Sequence, residues 1–77
     1  MKVTNNSKVI AKRGNDCYLI TNANLENGKY NSFEKAIVYD DRRKKIIGEN
    51  TIGAIIGRGY WNECKNDSKI IEKVIKL

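Results

Sequence analysis

The sequence predicts a mainly β (α+β) fold: a small, strongly bent antiparallel sheet or barrel of about five to six strands, with one C-terminal amphipathic helix. Three observations predict this class. Short runs of β-branched and aromatic residues alternate with turn-forming residues along most of the chain. Glycines interrupt the apolar segment 51–61, as they do where a sheet bends. A cluster of helix-capping residues precedes an amphipathic segment at 69–77.

The chain of 77 residues predicts a single compact domain over residues 1–77. A domain of this size buries only about 60–65% of the surface that its unfolded chain exposes, so its core is small. Its hydrophobic content of 40% is still enough for a folded core and argues against disorder. Because association would bury surface that one chain leaves exposed, a homo-oligomer is one expectation.

The first predicted hairpin joins residues 8–13, KVIAKR, to residues 17–22, CYLITN, through the turn-forming residues Gly14-Asn15-Asp16. Both strands place apolar side chains on both of their faces. We therefore expect this hairpin to lie inside a barrel or between the sheet and a helix.

Residues 22–32 are rich in asparagine and predict a loop, with Leu25 and Tyr30 as anchors into the core. Within this loop, Asn27-Gly28 has the composition of a turn that closes a small hairpin.

Two interpretations compete for the segment that follows. Asn31 with Glu34 fits the capping box of a helix, whereas the β-branched and aromatic run AIVY favours a strand. We favour the strand, at residues 35–40, because an apolar partner run, KIIGE, lies directly downstream. The two runs flank a wholly charged tip, DRRK at 41–44, and predict a second hairpin with a solvent-facing turn.

Residues 51–61, TIGAIIGRGYW, predict a further strand that glycines break. Its part 52–59 resembles the IIGxxG stretch of KH domains, in which a G-x-x-G loop joins two helices and clamps a single-stranded backbone. Tyr60 stands where that family has the fourth loop residue, a glycine, and the surrounding pattern is β-rich. The resemblance therefore does not assign the chain to that family.

The segment after Asn66-Asp67-Ser68, KIIEKVIKL, predicts an amphipathic helix of about two and a half turns. Its apolar side, at helical spacing, consists of Ile70, Ile71, Val74 and Ile75. A helix this short is marginal alone, so we expect it to dock on the sheet.

Charge is the clearest global indication of function. Fifteen Lys and Arg residues against nine Asp and Glu give a net charge of +6, which favours phosphate polyanions. We therefore predict a small basic nucleic-acid-binding module, with DNA or RNA as its partner. The candidate residues offer cations for phosphate or a ring for base stacking: Arg42, Arg43, Lys44 and Lys45 at the charged tip, Arg58 and Tyr60 in the glycine-rich segment, and Lys12 and Arg13 in the first hairpin.

Structural roles compete with these assignments. Asp40 and Asp41 cancel half of the tip's positive charge, and a charged turn also keeps a hairpin soluble. Trp61, the only tryptophan, is expected in the core. The alternative function is a non-enzymatic protein-binding factor, an inhibitor or adaptor of a phage or other mobile element. It would bind an acidic partner through a sheet edge or through Tyr60 and Trp61.

The absence of histidine excludes Cys-His and Ser-His-Asp catalytic devices. With only Cys17 and Cys64 as thiols, a closed four-ligand zinc site within one chain is excluded as well. We therefore predict no enzymatic activity, no cofactor and no metal; a metal-dependent nuclease built on Asp40, Asp41 and Glu49 is the enzymatic alternative. Neither a secretory signal nor an apolar run of about 20 residues is visible. We expect a soluble cytoplasmic protein without membrane contact and with both thiols reduced.

Overall fold

The computed structural model describes all 77 residues, Met1–Leu77. The elements, in chain order, are β1 (Lys8–Arg13), β2 (Cys17–Thr21), β3 (Lys35–Asp40), β4 (Lys45–Thr51), α1 (Ile52–Ile56), β5 (Asn62–Glu63) and α2 (Ser68–Ile75). The strands form one antiparallel sheet in the order β4-β3-β2-β1-β5, so β4 and β5 are edges and the sheet is open. The predicted mainly β fold with a C-terminal helix is confirmed, and the open sheet, rather than the barrel, is the form adopted.

Both predicted hairpins are confirmed. The register of the first ends with Arg13 opposite Cys17, and that of the second ends with Asp40 opposite Lys45. The strand interpretation of residues 35–40 is therefore correct, and the capping-box helix does not form. The side chain of Asn31 instead accepts a hydrogen bond from the Phe33 N–H at 2.9 Å, within the turn that leads into β3.

Each face of the sheet is covered by one helix. On the α2 face, the core cluster consists of Val9, Ile20, Ile37, Tyr39, Ile70, Ile71 and Val74. On the α1 face, it consists of Ile10, Ala11, Leu19, Ala36, Val38, Ile52 and Ile55. A β-bulge between Val9 and Ala11 places two consecutive side chains of β1 on the α1 face. The first hairpin thus lies between helices, one of its two predicted environments.

The predicted strand at residues 51–61 is wrong. Ile52–Ile56 form α1, and only Asn62–Glu63 return to the sheet as β5. Gly53 permits a close approach to the preceding loop, since a Cβ at this position would lie 2.9 Å from the Cβ of Ser32. The glycine that suggested a bent strand therefore lets a helix pack against a loop.

Capping and burial explain why this isoleucine-rich run is helical. The Thr51 side chain accepts a hydrogen bond from the Ala54 N–H at 3.2 Å, which satisfies the first turn. Ile52 and Ile55 are three residues apart and both pack on the α1 face. Tertiary packing thus overrides the β propensity of the run.

The loop between β2 and β3 contains the small hairpin that Asn27-Gly28 predicts. Glu26 and Lys29 exchange backbone hydrogen bonds at 2.7 and 3.0 Å. Asn27 and Gly28 have φ values of +52° and +79°, as in a type I′ turn.

Among the predicted buried side chains, Tyr30 packs against the α1-face cluster, whereas Leu25 and Ile75 do not anchor. Leu25 is 58% exposed because it precedes a small hairpin that closes on itself, and Ile75 is 41% exposed in the last turn of α2. The helix itself is confirmed, and Asp67 caps it by accepting hydrogen bonds from two backbone N–H groups. Neither α1 nor α2 has the length and apolar character that crossing a membrane requires.

The packing of α2 predicts that Ile→Ala substitutions at two positions of this helix lower the free energy of unfolding by different amounts. Ile71→Ala should lower the free energy of unfolding by about 2–4 kcal/mol, because Ile71 is 4% exposed within the α2-face cluster. Ile75→Ala removes the same atoms from an exposed position and should cost about 1 kcal/mol or less. Urea denaturation followed by circular dichroism measures both, and equal losses would contradict the docking of α2 through the side that carries Ile71.

Candidate nucleic-acid interface

One end of the sheet brings most of the predicted site residues together. Across that end, Arg13 pairs with Cys17, Cys17 with Asp40, and Asp40 with Lys45. Residues directly opposite each other on antiparallel strands point to the same face, so these four side chains form one row on the α1 face. Three strand spacings make this row about 14–15 Å long.

The two hairpins turn just beyond this row and lie side by side. The backbone N–H of Asp41 donates a hydrogen bond to the carbonyl of Asp16, from one turn to the other, at 2.8 Å. The tip, residues 41–44, is therefore held against the neighbouring turn. It does not project from the sheet as a free two-stranded ribbon.

Asp40 organises the tip. Its Oδ1 accepts hydrogen bonds from the backbone N–H groups of Arg42, at 2.9 Å, and Arg43, at 3.2 Å. Its Oδ2 lies 3.6 Å from Arg43 Nε. Lys44 then adopts the left-handed conformation, with a φ of +55°, and returns the chain into β4. Asp40 is only 8% exposed, so its carboxylate faces the protein and not the solvent.

Asp41 is engaged from the α2 face. Its carboxylate accepts a hydrogen bond from the Tyr39 hydroxyl at 3.3 Å, and both of its oxygens lie 3.3 Å from Lys73 Nζ. Burial of the ring, the negative charge of Asp41 and this hydrogen bond together raise the pKa of Tyr39. The second carboxylate beside the tip is therefore also bound within the protein.

Arg42, Arg43 and Lys44 of the tip and Lys45 at the start of β4, together called the tip cations, are all exposed. Arg43 is the only one with a carboxylate oxygen within 4.0 Å. The tip thus presents three unpaired positive charges to solvent, although two aspartates directly precede its four cations in the sequence.

A groove of about 260 Å³ lies beside the row, between α1 and β4. Its apolar lining is Val38, Ile47, Ala54 and Ile55, and its cations are Arg13 and Arg58. Neither arginine has a carboxylate within 4.0 Å. Glu49 also borders the groove, but its carboxylate lies 2.7 Å from the amino group of Met1. That hydrogen bond lowers the pKa of Glu49.

Trp61 supports Arg13 at this groove. The Arg13 guanidinium carbon lies 5.0 Å from the centroid of the Trp61 ring, in a cation–π contact. Arg13 Nη2 also lies 3.8 Å from the sulfur of Cys17. Trp61 packs against the α1-face cluster, as its core interpretation predicts, and its Nε1 is buried without a hydrogen-bond partner.

Tyr60 is the most exposed of the large apolar or aromatic side chains, at 89%, and its backbone has a φ of +68°. Lys12 differs from the other predicted residues. It lies on the α2 face, 5.7 Å from the centroid of the Tyr18 ring. The structure thus gathers the tip cations, Arg13, Arg58 and Tyr60 at one end of the sheet and leaves Lys12 on the opposite face.

The carboxylates of the nuclease alternative do not converge. Asp40, Asp41 and Glu49 bind three separate partners, and no group of three or more His, Cys, Asp or Glu residues is arranged to hold a metal ion. Cys17 and Cys64 are both free thiols, and burial raises the pKa of Cys64.

Lys73 is the residue of this region that sequence reasoning missed. Lys73 lies on α2, 32 positions after Asp41 in the chain, and contacts its carboxylate. No local sequence motif predicts such a contact.

No protein-family model matches this chain, and no match to it was found among curated proteins or among solved structures.

The hydrogen bonds of Asp40 predict a distinction between two substitutions. Asp40→Ala removes the acceptor for two backbone N–H groups of the tip and should lower the free energy of unfolding by about 1–3 kcal/mol. Asp40→Asn keeps an oxygen at the same place and should recover most of that loss. Urea denaturation measures both; equal losses would assign the stabilisation to the Arg43 ion pair instead.

Tyr39 predicts a loss of stability at alkaline pH. Because its pKa is raised in the folded state above the ordinary value of 10.0, the unfolded chain releases the phenol proton first as pH rises. The contribution is complete below pH 10.0 and disappears as pH rises through the folded pKa. The free energy of unfolding should therefore fall more steeply as the pH rises above 10.0 for the wild type than for Tyr39→Phe. Parallel curves of unfolding free energy against pH for the two proteins would contradict this role.

Proposed function

We propose that the protein is a small basic nucleic-acid-binding module that contacts phosphates through the tip end of its sheet. The placement of charge carries this proposal. Three unpaired tip cations, Arg13 and Arg58 lie around one end. Asp40 and Asp41 each have a partner within the protein, and Asp16 in the neighbouring turn is the one carboxylate there without a cation within 4.0 Å. The local field at this end is therefore more positive than the sequence of the tip suggests.

The exposed cations at this end are suited to binding phosphate groups. They remain hydrated in the free protein, and when they contact phosphates the nucleic acid releases its condensed counterions, which favours binding. Arginine adds a planar pair of donors that matches two phosphate oxygens. Such contacts bind the backbone and carry little sequence information.

One observation favours a second candidate, a non-enzymatic protein-binding factor. The edge strand β4 exposes Ile46 by 43% and Ile47 by 39%, and its outer backbone groups have no strand beside them. An acidic partner could add a strand there. A bulge in the β3–β4 ladder and Lys45 at the end of the edge weaken this candidate, since both features discourage strand addition.

The first test compares two variants with the same net charge. In the tip variant, Arg42, Arg43, Lys44 and Lys45 are replaced by Gln. In the control variant, Lys2, Lys8, Lys29 and Lys35 are replaced by Gln. These lysines lie away from the tip: Lys8 pairs with Thr21 and Lys35 with Thr51 at the other end of the strands, Lys2 contacts Asn22, and Lys29 belongs to the small hairpin between β2 and β3. Circular dichroism and thermal melting establish that both variants fold.

Binding of labelled DNA by fluorescence anisotropy across a salt gradient gives the outcome. The wild type should bind at about 50 mM salt, with log Kd changing by about 0.9 per phosphate contact on duplex or about 0.7 on single strands per decade of salt. The tip variant should lose most of this affinity and slope, and the control variant should keep most of both. Equal losses in the two variants would reduce the effect to net charge, and no binding by the wild type would contradict the proposal. A wild type that ignores nucleic acid but captures one stoichiometric acidic protein would favour the second candidate.

A further inference from the structure

We infer that the nucleic acid bound at this end is single-stranded, with one base stacked on Tyr60 and its flanking phosphates held by Arg58 and Arg13. This inference rests on the proposed function and identifies the form of nucleic acid that the site accepts. Three features of the site carry it: the fixed position of the tip, the conformation of Tyr60, and the size of the groove that Arg13 and Arg58 line.

The tip is poorly placed to read a duplex. Proteins that read DNA with a hairpin insert a two-stranded ribbon into the major groove, which is about 12 Å wide. Here the hydrogen bond from Asp41 to Asp16 and the ion pair from Asp41 to Lys73 hold the tip against its neighbours. The end of the sheet is a broad basic surface about 14–15 Å across at the row of paired residues, and a flexible single strand can follow such a surface.

Tyr60 presents an unpaired aromatic face. Its left-handed backbone, with a φ of +68°, is unfavourable for a bulky side chain. Burial does not compensate, because the side chain is 89% exposed. The backbone conformation therefore holds a ring in solvent at a cost in stability. A ring of this kind stacks on a base whose face is free, and base faces are free in single strands and hidden in a duplex.

Two arginines border the segment that carries Tyr60. Arg58 precedes Tyr60 by two residues and lines the groove. Trp61 follows Tyr60 and holds the Arg13 guanidinium 5.0 Å from its ring centroid. The groove that both arginines line, of about 260 Å³, has four apolar residues among its nine lining residues and no unpaired carboxylate. It can admit part of a nucleotide and is far too small for a duplex.

The experiment measures the affinity of the full chain for oligothymidylate of about 12 nucleotides and for a duplex of the same length. Oligouridylate serves as the RNA arm. Two variants separate stacking from backbone effects. Tyr60→Asn removes the ring but tolerates the left-handed conformation, so it should fold at least as stably as the wild type. Tyr60→Phe keeps the ring and removes only the hydroxyl.

The single strand should bind more tightly than the duplex. Tyr60→Asn should weaken single-strand binding by about 5- to 150-fold, the effect of one lost stacked base, and leave duplex binding unchanged. Tyr60→Phe should bind as the wild type does. Duplex binding equal to or tighter than single-strand binding would overturn the inference and leave the proposed function standing, as would wild-type single-strand affinity in Tyr60→Asn. Equal losses for both forms in Tyr60→Asn would assign the residue a structural role. Absence of any binding at about 50 mM salt would overturn the proposed function itself.

Discussion

The whole arrangement depends on the need to cover a sheet whose central strands are apolar on both faces. In so short a chain, each face receives a single short helix: α2 on one side and the five-residue α1 on the other. Because α1 begins at the end of β4 that lies far from the tip, it turns the chain back over this face of the sheet, toward the tip end. Arg58, Tyr60 and Trp61 follow α1 directly, so the covering of the core also delivers them to the tip end.

The predictable parts of this protein are those with local signals. Alternation and turn residues located both hairpins, and a cap before an apolar stripe located α2. The assignment of α1 failed because the β-branched residues of IGAII favour a strand locally, and only burial against a face formed by distant strands makes them helical. The groove could not be predicted for the same reason, since α1 forms one of its walls.

The candidate site shows the same division. Tyr60 and Arg58 are candidates because an aromatic ring beside a cation is a local sequence pattern, whereas the left-handed backbone of Tyr60 has no such local signal. The net charge summed along residues 40–45 is also a poor guide to the charge that this surface presents to solvent. Asp40 and Asp41 are adjacent in sequence, yet they turn to opposite sides, one toward the tip backbone and one toward α2. The sign of a surface depends on where side chains point, and the sequence of a turn does not give that direction.

The short strand β5 has a consequence for the order in which this protein folds and opens. It pairs with β1 through only two residues, and it is the one strand whose partner is remote in the chain. Contacts that close a long loop form late in folding, and short ladders open at low free energy. We therefore expect the segment 57–63 to open at a lower free energy than β2 and β3. Its amide hydrogens should exchange with solvent through local fluctuations, and those of β2 and β3 through global unfolding.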